Sequence, residues 1–146
     1  MKIVHATDDK LKSYIEKRPE IEEYICDFGN GFTLFVVDDN NEIVAYASAW
    51  HSEIVAPING KTECIIEAVD VSDTLHNKGI GSMLVQEIIK IAQDNGDIQV
   101  RAYCHIENIP SHMFFLKNGF GFSPYKYDDG SSGSMVTYRI NAKIFV

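Results

Sequence analysis

The sequence predicts an α/β fold in which helices flank a mixed central sheet, and three observations carry that prediction. Apolar residues recur with period two in some segments and near 3.6 in others. The segments so marked follow the order β-αα-βββ-α-β-α-ββ. A single strand-helix-strand crossover among hairpins calls for both parallel and antiparallel pairs, which is the layered α/β solution. A sheet of about six to seven strands is expected from this order.

The first strand is read from Lys2 to Ala6, and Thr7-Asp8-Asp9 then gives a helix-start signal ahead of Leu11, Tyr14 and Ile15 at helical spacing. Pro19 interrupts, and a second helix is expected from Glu20 to Phe28, closed by Gly29-Asn30-Gly31. Phe32 to Val37 and Ile43 to Trp50 are β-branched and aromatic, and Asp38-Asp39-Asn40-Asn41 between them forms turns, so they read as a hairpin. A loop holding Pro57, Asn59 and Gly60 leads to a strand from Cys64 to Val71 and a bend at Ser72-Asp73-Thr74. From Gly79 the apolar residues Ile80, Met83, Leu84, Ile88 and Ile91 share one helical face, and Asn95-Gly96 supplies a left-handed cap. Ile98 to Cys104 alternates as a strand, and Ser111 to Lys117 is a short helix. Tyr125-Lys126-Tyr127 and Met135 to Ile140 bracket a final hairpin turn, Asp128 to Gly133.

Composition narrows the function classes. A chain of 146 residues, 45% hydrophobic and 23% charged, fits one domain spanning residues 1–146 that builds its core without disulfides or metal. No run approaches the roughly 18 apolar residues of a membrane span, and the first residues lack a signal-peptide core, so the expectation is a cytoplasmic protein without a membrane partner. A formal charge of −8 argues against nucleic acid, whose binding rests on Lys and Arg displacing counterions. Cys26, Cys64 and Cys104 are too dispersed for a zinc or redox motif, and no metal is expected.

The segment Val69-Asp70-Val71-Ser72-Asp73-Thr74-Leu75-His76-Asn77-Lys78-Gly79-Ile80-Gly81-Ser82 carries the chemistry: a strand enters a glycine-bearing turn that opens an amphipathic helix. The first turn of a helix leaves about four N–H groups without intrahelical partners and carries roughly half a positive charge, so anions dock there. Leu84 stands where a dinucleotide fingerprint needs its third glycine, and the lysine precedes the glycines instead of following them as in a nucleoside-triphosphate loop. On the glycines alone, a structural turn and an anion site are equally compatible.

This segment resembles the acetyl-CoA-binding motif of the GNAT acetyltransferases, Arg/Gln-x-x-Gly-x-Gly/Ala, with His76-x-x-Gly79-x-Gly81 in its place. Downstream, Asn108 to Phe120 resembles the family's second signature, an Asn ahead of a short helix that ends in Gly-Phe. The resemblance extends from about Phe32 to Ile140, the first thirty residues agreeing in element type. It implies a GNAT-like (acyl-CoA N-acyltransferase) fold, acetyl-CoA as co-substrate, and transfer of an acetyl group to a primary amine by direct attack in a ternary complex. By the same resemblance the amides of His76, Asn77, Lys78, Gly79, Ile80, Gly81 and Ser82 hold the CoA diphosphate. Val69, Asp70 and Val71 pair with the pantetheine arm as with an added strand, the next strand splays to admit the thioester, and Asn108 contacts the arm.

Two departures matter. His76 replaces Arg or Gln, which a backbone cradle tolerates, and Phe115 stands where many members place the tyrosine that protonates the leaving thiolate, so the acid is unassigned. Glu63, Glu67 and Val69 share one face of their strand, and Glu67 is the residue chosen as general base, directly or through water. Tyr103, Cys104 and His105 are alternative proton carriers, although a covalent Cys104 mechanism lacks a paired base. His5, His51 and His112 fall in no recognisable pattern. The acceptor is expected between the Leu11 to Phe28 region, the Ser52 to Thr62 loop and the last hairpin, where Glu53, Glu63 and Glu67 favour a cation. The competing reading is a non-catalytic CoA-binding or interaction module of GNAT fold. Phe115 favours it, as does an apolar tail, Ile140 to Val146, suited to add an edge strand in a homodimer.

Overall fold

The computed structural model describes residues 1–5, 11–25, 30–55 and 58–140. Its elements are β1 (Lys2–His5), α1 (Leu11–Lys17), a 3-10 segment (Pro19–Tyr24), β2 (Gly31–Val37), β3 (Ile43–Glu53), β4 (Thr62–Val71), a 3-10 turn (Asp73–Leu75), α2 (Ile80–Asn95), β5 (Gln99–His105), α3 (Ile109–Lys117), β6 (Gly121–Lys126) and β7 (Ser132–Arg139). The strands form one seven-stranded sheet in the order β1-β2-β3-β4-β5-β7-β6. The pair β4–β5 is parallel, whereas β1–β2, β2–β3, β5–β7 and β6–β7 are antiparallel. Among the described residues no helix is long and apolar enough to cross a membrane.

The expected second helix is corrected to a 3-10 segment, Pro19–Tyr24. Pro19 starts it, buried Ile21 anchors it, and Ile25 is already extended, which leaves six residues, too few to nucleate an α-helix. The Thr7-Asp8-Asp9 signal, Cys26 to Gly29, Pro57 and the tail beyond Ile140 lie outside the described residues. Strand β3 runs three residues past Trp50, the Ile54 N–H to Lys61 carbonyl bond (2.9 Å) prolongs the hairpin, and the expected loop shrinks accordingly. Helix α3 starts at Ile109 because Asn108 caps it and Pro110 is tolerated in a first turn.

The chain divides into two compact units, Met1–Trp50 with Ile66–Ile88, and His51–Ile65 with Ile89–Val146. In the first, Val4, Tyr14, Ile21, Phe35, Val37, Ile43 and Tyr46 form a buried cluster against which Ala68 packs. Tyr14 of α1 meets the Phe35 ring edge-on at 6.3 Å, so α1 and the 3-10 segment cover the β1–β2–β3 ladder; each buried aliphatic contributes about 1.5–3 kcal/mol. The register shifts between Val36 and Val37, which pair with Ala45 and Ile43, so Val44 is an extra residue in β3.

In the second unit, Phe115, Phe120 and Val136 are buried, with the Phe115 and Phe120 rings 5.0 Å apart and Tyr138 beyond at 5.6 Å from Phe120. Fully buried Asp97 holds the other end. Its carboxylate accepts from the Thr62 hydroxyl (2.5 Å) and the Asn95 amide (2.9 Å), and its second oxygen pairs with His51 Nδ1 at 2.6 Å. Helix α2 buries Ile80, Leu84, Val85, Ile88, Ile89 and Ala92, the expected stripe with Met83 and Ile91 on its half-exposed flanks.

Candidate active site

The end of β4 is set by the irregularity of its neighbour. The Ser72 N–H donates to the carbonyl of bulge residue Val44 at 2.9 Å, which pins the chain as it leaves the strand. A 3-10 turn follows, closed by Leu75 N–H to the Ser72 carbonyl (2.8 Å). The His76 ring then folds back and donates from Nε2 to the Val71 carbonyl at 2.8 Å, with Asp73 Oδ1 at 3.7 Å. The histidine side chain therefore braces the turn, and its own N–H donates to the Asp73 carbonyl at 3.4 Å.

Beyond it the backbone is left-handed twice, at Asn77 (φ 63°) and at Gly79 (φ 80°). Alternation of this kind turns successive N–H groups into one concavity, the geometry of an anion nest. A Cβ on Gly79 would touch nothing within 4 Å, so glycine is required there for its conformation and not for space. Helix α2 opens immediately, its first intrahelical bond running from Met83 N–H to the Gly79 carbonyl at 3.0 Å, and Ile80 and Gly81 stand ahead of that bond. Among the described residues no side chain caps the amides of Asn77 to Gly81. Lys78 is exposed beside them, Ile80 is buried as the helix anchor, and Ser82 is half-buried. The first unit thus brings together Val69, Asp70, Val71 and His76 to Ser82.

Glu67, in the same unit, is exposed and makes no ion pair among the described residues. Glu63 differs: it is 6% exposed and receives the Arg101 Nε–H, while Arg101 also donates to the Tyr103 hydroxyl. Burial raises the Glu63 carboxyl above the usual range, Asp97 adding to the shift, and burial lowers Arg101. Glu63 is therefore committed to a partner, whereas Glu67 faces solvent.

Asn108 and Phe115 belong to the second unit. Asn108 Oδ1 accepts from Ser111 N–H at 3.2 Å as the N-cap of α3, which leaves its amide NH2 as a donor. Phe115 is buried between Phe114 and Phe120 and has a packing role. His112 donates from Nδ1 to the Asn108 carbonyl (2.8 Å), and its Nε2 is hydrogen-bonded to the Ser134 hydroxyl (2.9 Å). Cys104 is buried and its thiol is pushed up by desolvation, an inert environment for a nucleophile. The parallel ladder joins β4 to β5 at Cys64↔Val100 and Ile65↔Arg101.

Sequence reading missed two groupings in this unit. Arg101 was assigned no role, though it sits two residues before Tyr103 on one strand face. Donor atoms of His51, Cys64 and Asp97 lie within 4.8 Å of one another. No spacing signal could reveal that trio, because its members come from β3, β4 and the α2–β5 connection.

The mixed sheet, with its fourth strand running into a nest at a helix start, is the α/β arrangement that the sequence resemblance implies. The family model described as Acetyltransferase (GNAT) family matches residues 4–120, and the chain belongs to that family. The match takes in the N-terminal region that sequence reading placed outside the resemblance. A Bacillus subtilis (strain 168) protein named "Putative phosphinothricin acetyltransferase YwnH" is 31% identical over 87 residues, 60% of this chain. That match spans about half, 52%, of the relative's own length. The structure of Arabidopsis thaliana NAA60 in complex with acetyl-CoA superposes with a TM-score of 0.70 at 15% identity, covering 97% of this chain and 100% of that one. An aminoglycoside 6'-N-acetyltransferase from Acinetobacter haemolyticus gives 0.64 at 19% identity, over 83% and 91%. These two likenesses establish the shared fold.

Proposed function

We propose that residues 1–146 act as one cytoplasmic N-acetyltransferase domain, moving the acetyl group of acetyl-CoA to a primary amine of a small molecule or peptide. The observation that carries this reading is the nest at Asn77 and Gly79 running into the uncapped first turn of α2, in a chain of the acetyltransferase family. The amides of Asn77 to Ser82 would hold the diphosphate, with Lys78 adding positive charge, while His76, whose own amide is turned to the Asp73 carbonyl, would brace the turn with its ring. Val69 to Val71 would hold the pantetheine arm. The Val71 carbonyl has a second lone pair beside the His76 bond and can accept from the arm as well. Family membership of Arabidopsis NAA60, solved with acetyl-CoA, supports the same co-substrate.

Acetyl-CoA supplies an activated thioester carbonyl. An acceptor amine is protonated at neutral pH, so a base must strip it before attack; Glu67, exposed and without an ion pair among the described residues, would do so, directly or through water. Juxtaposition of the two substrates accounts for most of the rate. The departing thiolate, of ordinary pKa near 8.5, can take its proton from water or from a hydroxyl other than that of the absent tyrosine. Packing of Phe115 also favours the second reading, a CoA-binding module without turnover.

Turnover separates the two. Thiol release from acetyl-CoA in the presence of an amine panel, above the hydrolysis background, supports the enzyme; tight CoA binding with no turnover on any amine supports the module. Replacing Gly81 with valine is expected to abolish the heat of acetyl-CoA binding in calorimetry while leaving the circular dichroism of the fold in place.

A further inference from the structure

The second unit gathers three metal-ligating side chains that the transfer chemistry leaves unused. His51 comes from the end of β3, Cys64 from β4 and Asp97 from the α2–β5 connection, and one donor atom of each lies within 4.8 Å of the others. The backbone holds the carboxylate in place. Gly96 is left-handed at φ 83°, the Asp97 N–H donates to the Ala92 carbonyl at 2.9 Å, and the Ile98 N–H donates to the Thr62 carbonyl at 2.9 Å. Cys64 is fixed by the parallel ladder, where it pairs with Val100.

Charge and burial single the cluster out. Glu63 is neutralised by Arg101, but fully buried Asp97 pairs with no Lys or Arg among the described residues, only with His51 at 2.6 Å. Buried charges of this kind are paired or coordinate a metal. The other Asp97 oxygen accepts from the Thr62 hydroxyl and the Asn95 amide, the outer hydrogen bonds that orient a ligating carboxylate. Imidazole, thiolate and carboxylate together form a borderline-soft donor set, suited to zinc and not to magnesium or calcium. Around a tetrahedral ion with bonds of about 2.0–2.3 Å, donors stand about 3.3–3.6 Å apart. The observed separations, from 2.6 Å for His51–Asp97 to the 4.8 Å limit, bracket that spacing, so side-chain rotations of about 1 Å reach it.

We propose that His51, Cys64 and Asp97 bind one zinc-class divalent cation. The Cys64 thiol gives its proton to solvent as the metal–sulfur bond forms. The ion takes the place of the proton between His51 Nδ1 and Asp97 Oδ2, and a neutral ring then carries its proton at Nε2, so one proton is released overall. A divalent ion with one thiolate and one carboxylate is neutral as a unit, which removes the buried charge. The His51 side chain is 13% exposed while Asp97 and Cys64 are sealed, so the ion enters past the ring and water completes its fourth position there. The bound ion ties β3, β4 and the α2–β5 connection together. On this reading the absence of a metal expected from cysteine spacing does not hold.

The test uses the full chain, stripped with EDTA and kept reduced, with cobalt(II) titrated in as a spectroscopic stand-in for zinc. One equivalent is expected to raise a sulfur-to-cobalt charge-transfer band that zinc then bleaches. The band should persist in a Cys26→Ser, Cys104→Ser double variant and vanish in Cys64→Ser. Zinc affinity, read by competition with cobalt, should fall about tenfold or more in His51→Gln and Asp97→Asn, and about tenfold in Thr62→Val, with Thr62→Ser recovering it. Zinc should also raise the Tm of the parent chain and leave that of His51→Gln where it was. His51 is the least buried of the three, so its variant keeps the test decisive even where Asp97→Asn fails to fold without metal. No charge-transfer band, a band that outlives Cys64→Ser, or an affinity unchanged in His51→Gln overturns the site.

Discussion

At the scale of single residues, Cys64 combines complete burial with a thiol pushed up to about 12, first by desolvation and then by the charges of Asp97 and Glu63. In the unfolded chain the same thiol ionises near 9, so between these two values the folded state retains a proton that the unfolded state releases. Stability is therefore full below pH 9 and falls as pH rises toward 12, with a limiting slope of about 1.4 kcal/mol per pH unit from this group. Urea unfolding from pH 8 to 11 is expected to show that decline, reduced in Cys64→Ala, and iodoacetamide at pH 8 should leave the thiol unmodified until denaturant is added. Asp97 is the larger stake. Its carboxylate takes His51, Thr62 and Asn95, and Asp97→Ala strands all three, so a loss of about 3 kcal/mol or more in chemical denaturation is expected. Neither role was legible in the sequence: His51 is separated from Asp97 by 46 positions, and only the fold brings them together.

At the scale of elements, the nest depends on two left-handed residues and the α3 start on one cap. Gly79→Ala should cost about 1–2 kcal/mol in stability, because the site has room for a methyl group but an L-residue resists that φ. Asn108→Ala should cost about 0.5–2 kcal/mol through loss of the cap alone, and Asn108→Ser should recover most of it in thermal melts. Elements with a buried stripe were readable: α2 shows its period in Ile80, Leu84 and Ile88, and β2 is continuously apolar from Leu34 to Val37. Strand β6 was read as three residues and is six, because every one of them is exposed and no alternation marks it. The same holds for the 3-10 segment, whose spacing of apolar residues mimics an α-helix over so short a span.

At the scale of the molecule, a formal charge of −8 sets a field that draws cations inward. For a cationic amine acceptor KM should rise as sodium chloride is raised from 20 to about 300 mM, a range over which the Debye length shortens from roughly 20 to under 6 Å. An acceptor with one positive charge should respond less than one with two; an equal response would place the long-range attraction outside the acceptor's path. Fold class, the succession of strands along the chain and the glycine turn were all legible because local chemistry imposes them. The place of Gly133 was not, because it reads as one more turn glycine until register sets it between Tyr125 and His105.

The position of β6 at the end of the sheet has a consequence for how the protein keeps to itself. A terminal strand offers its outer amides and carbonyls to any passing chain, yet this one carries Pro124 at its middle, and a sheet proline turns its missing donor to the open side. Polymerisation by strand docking is blocked at that point by a ring that costs the native ladder little.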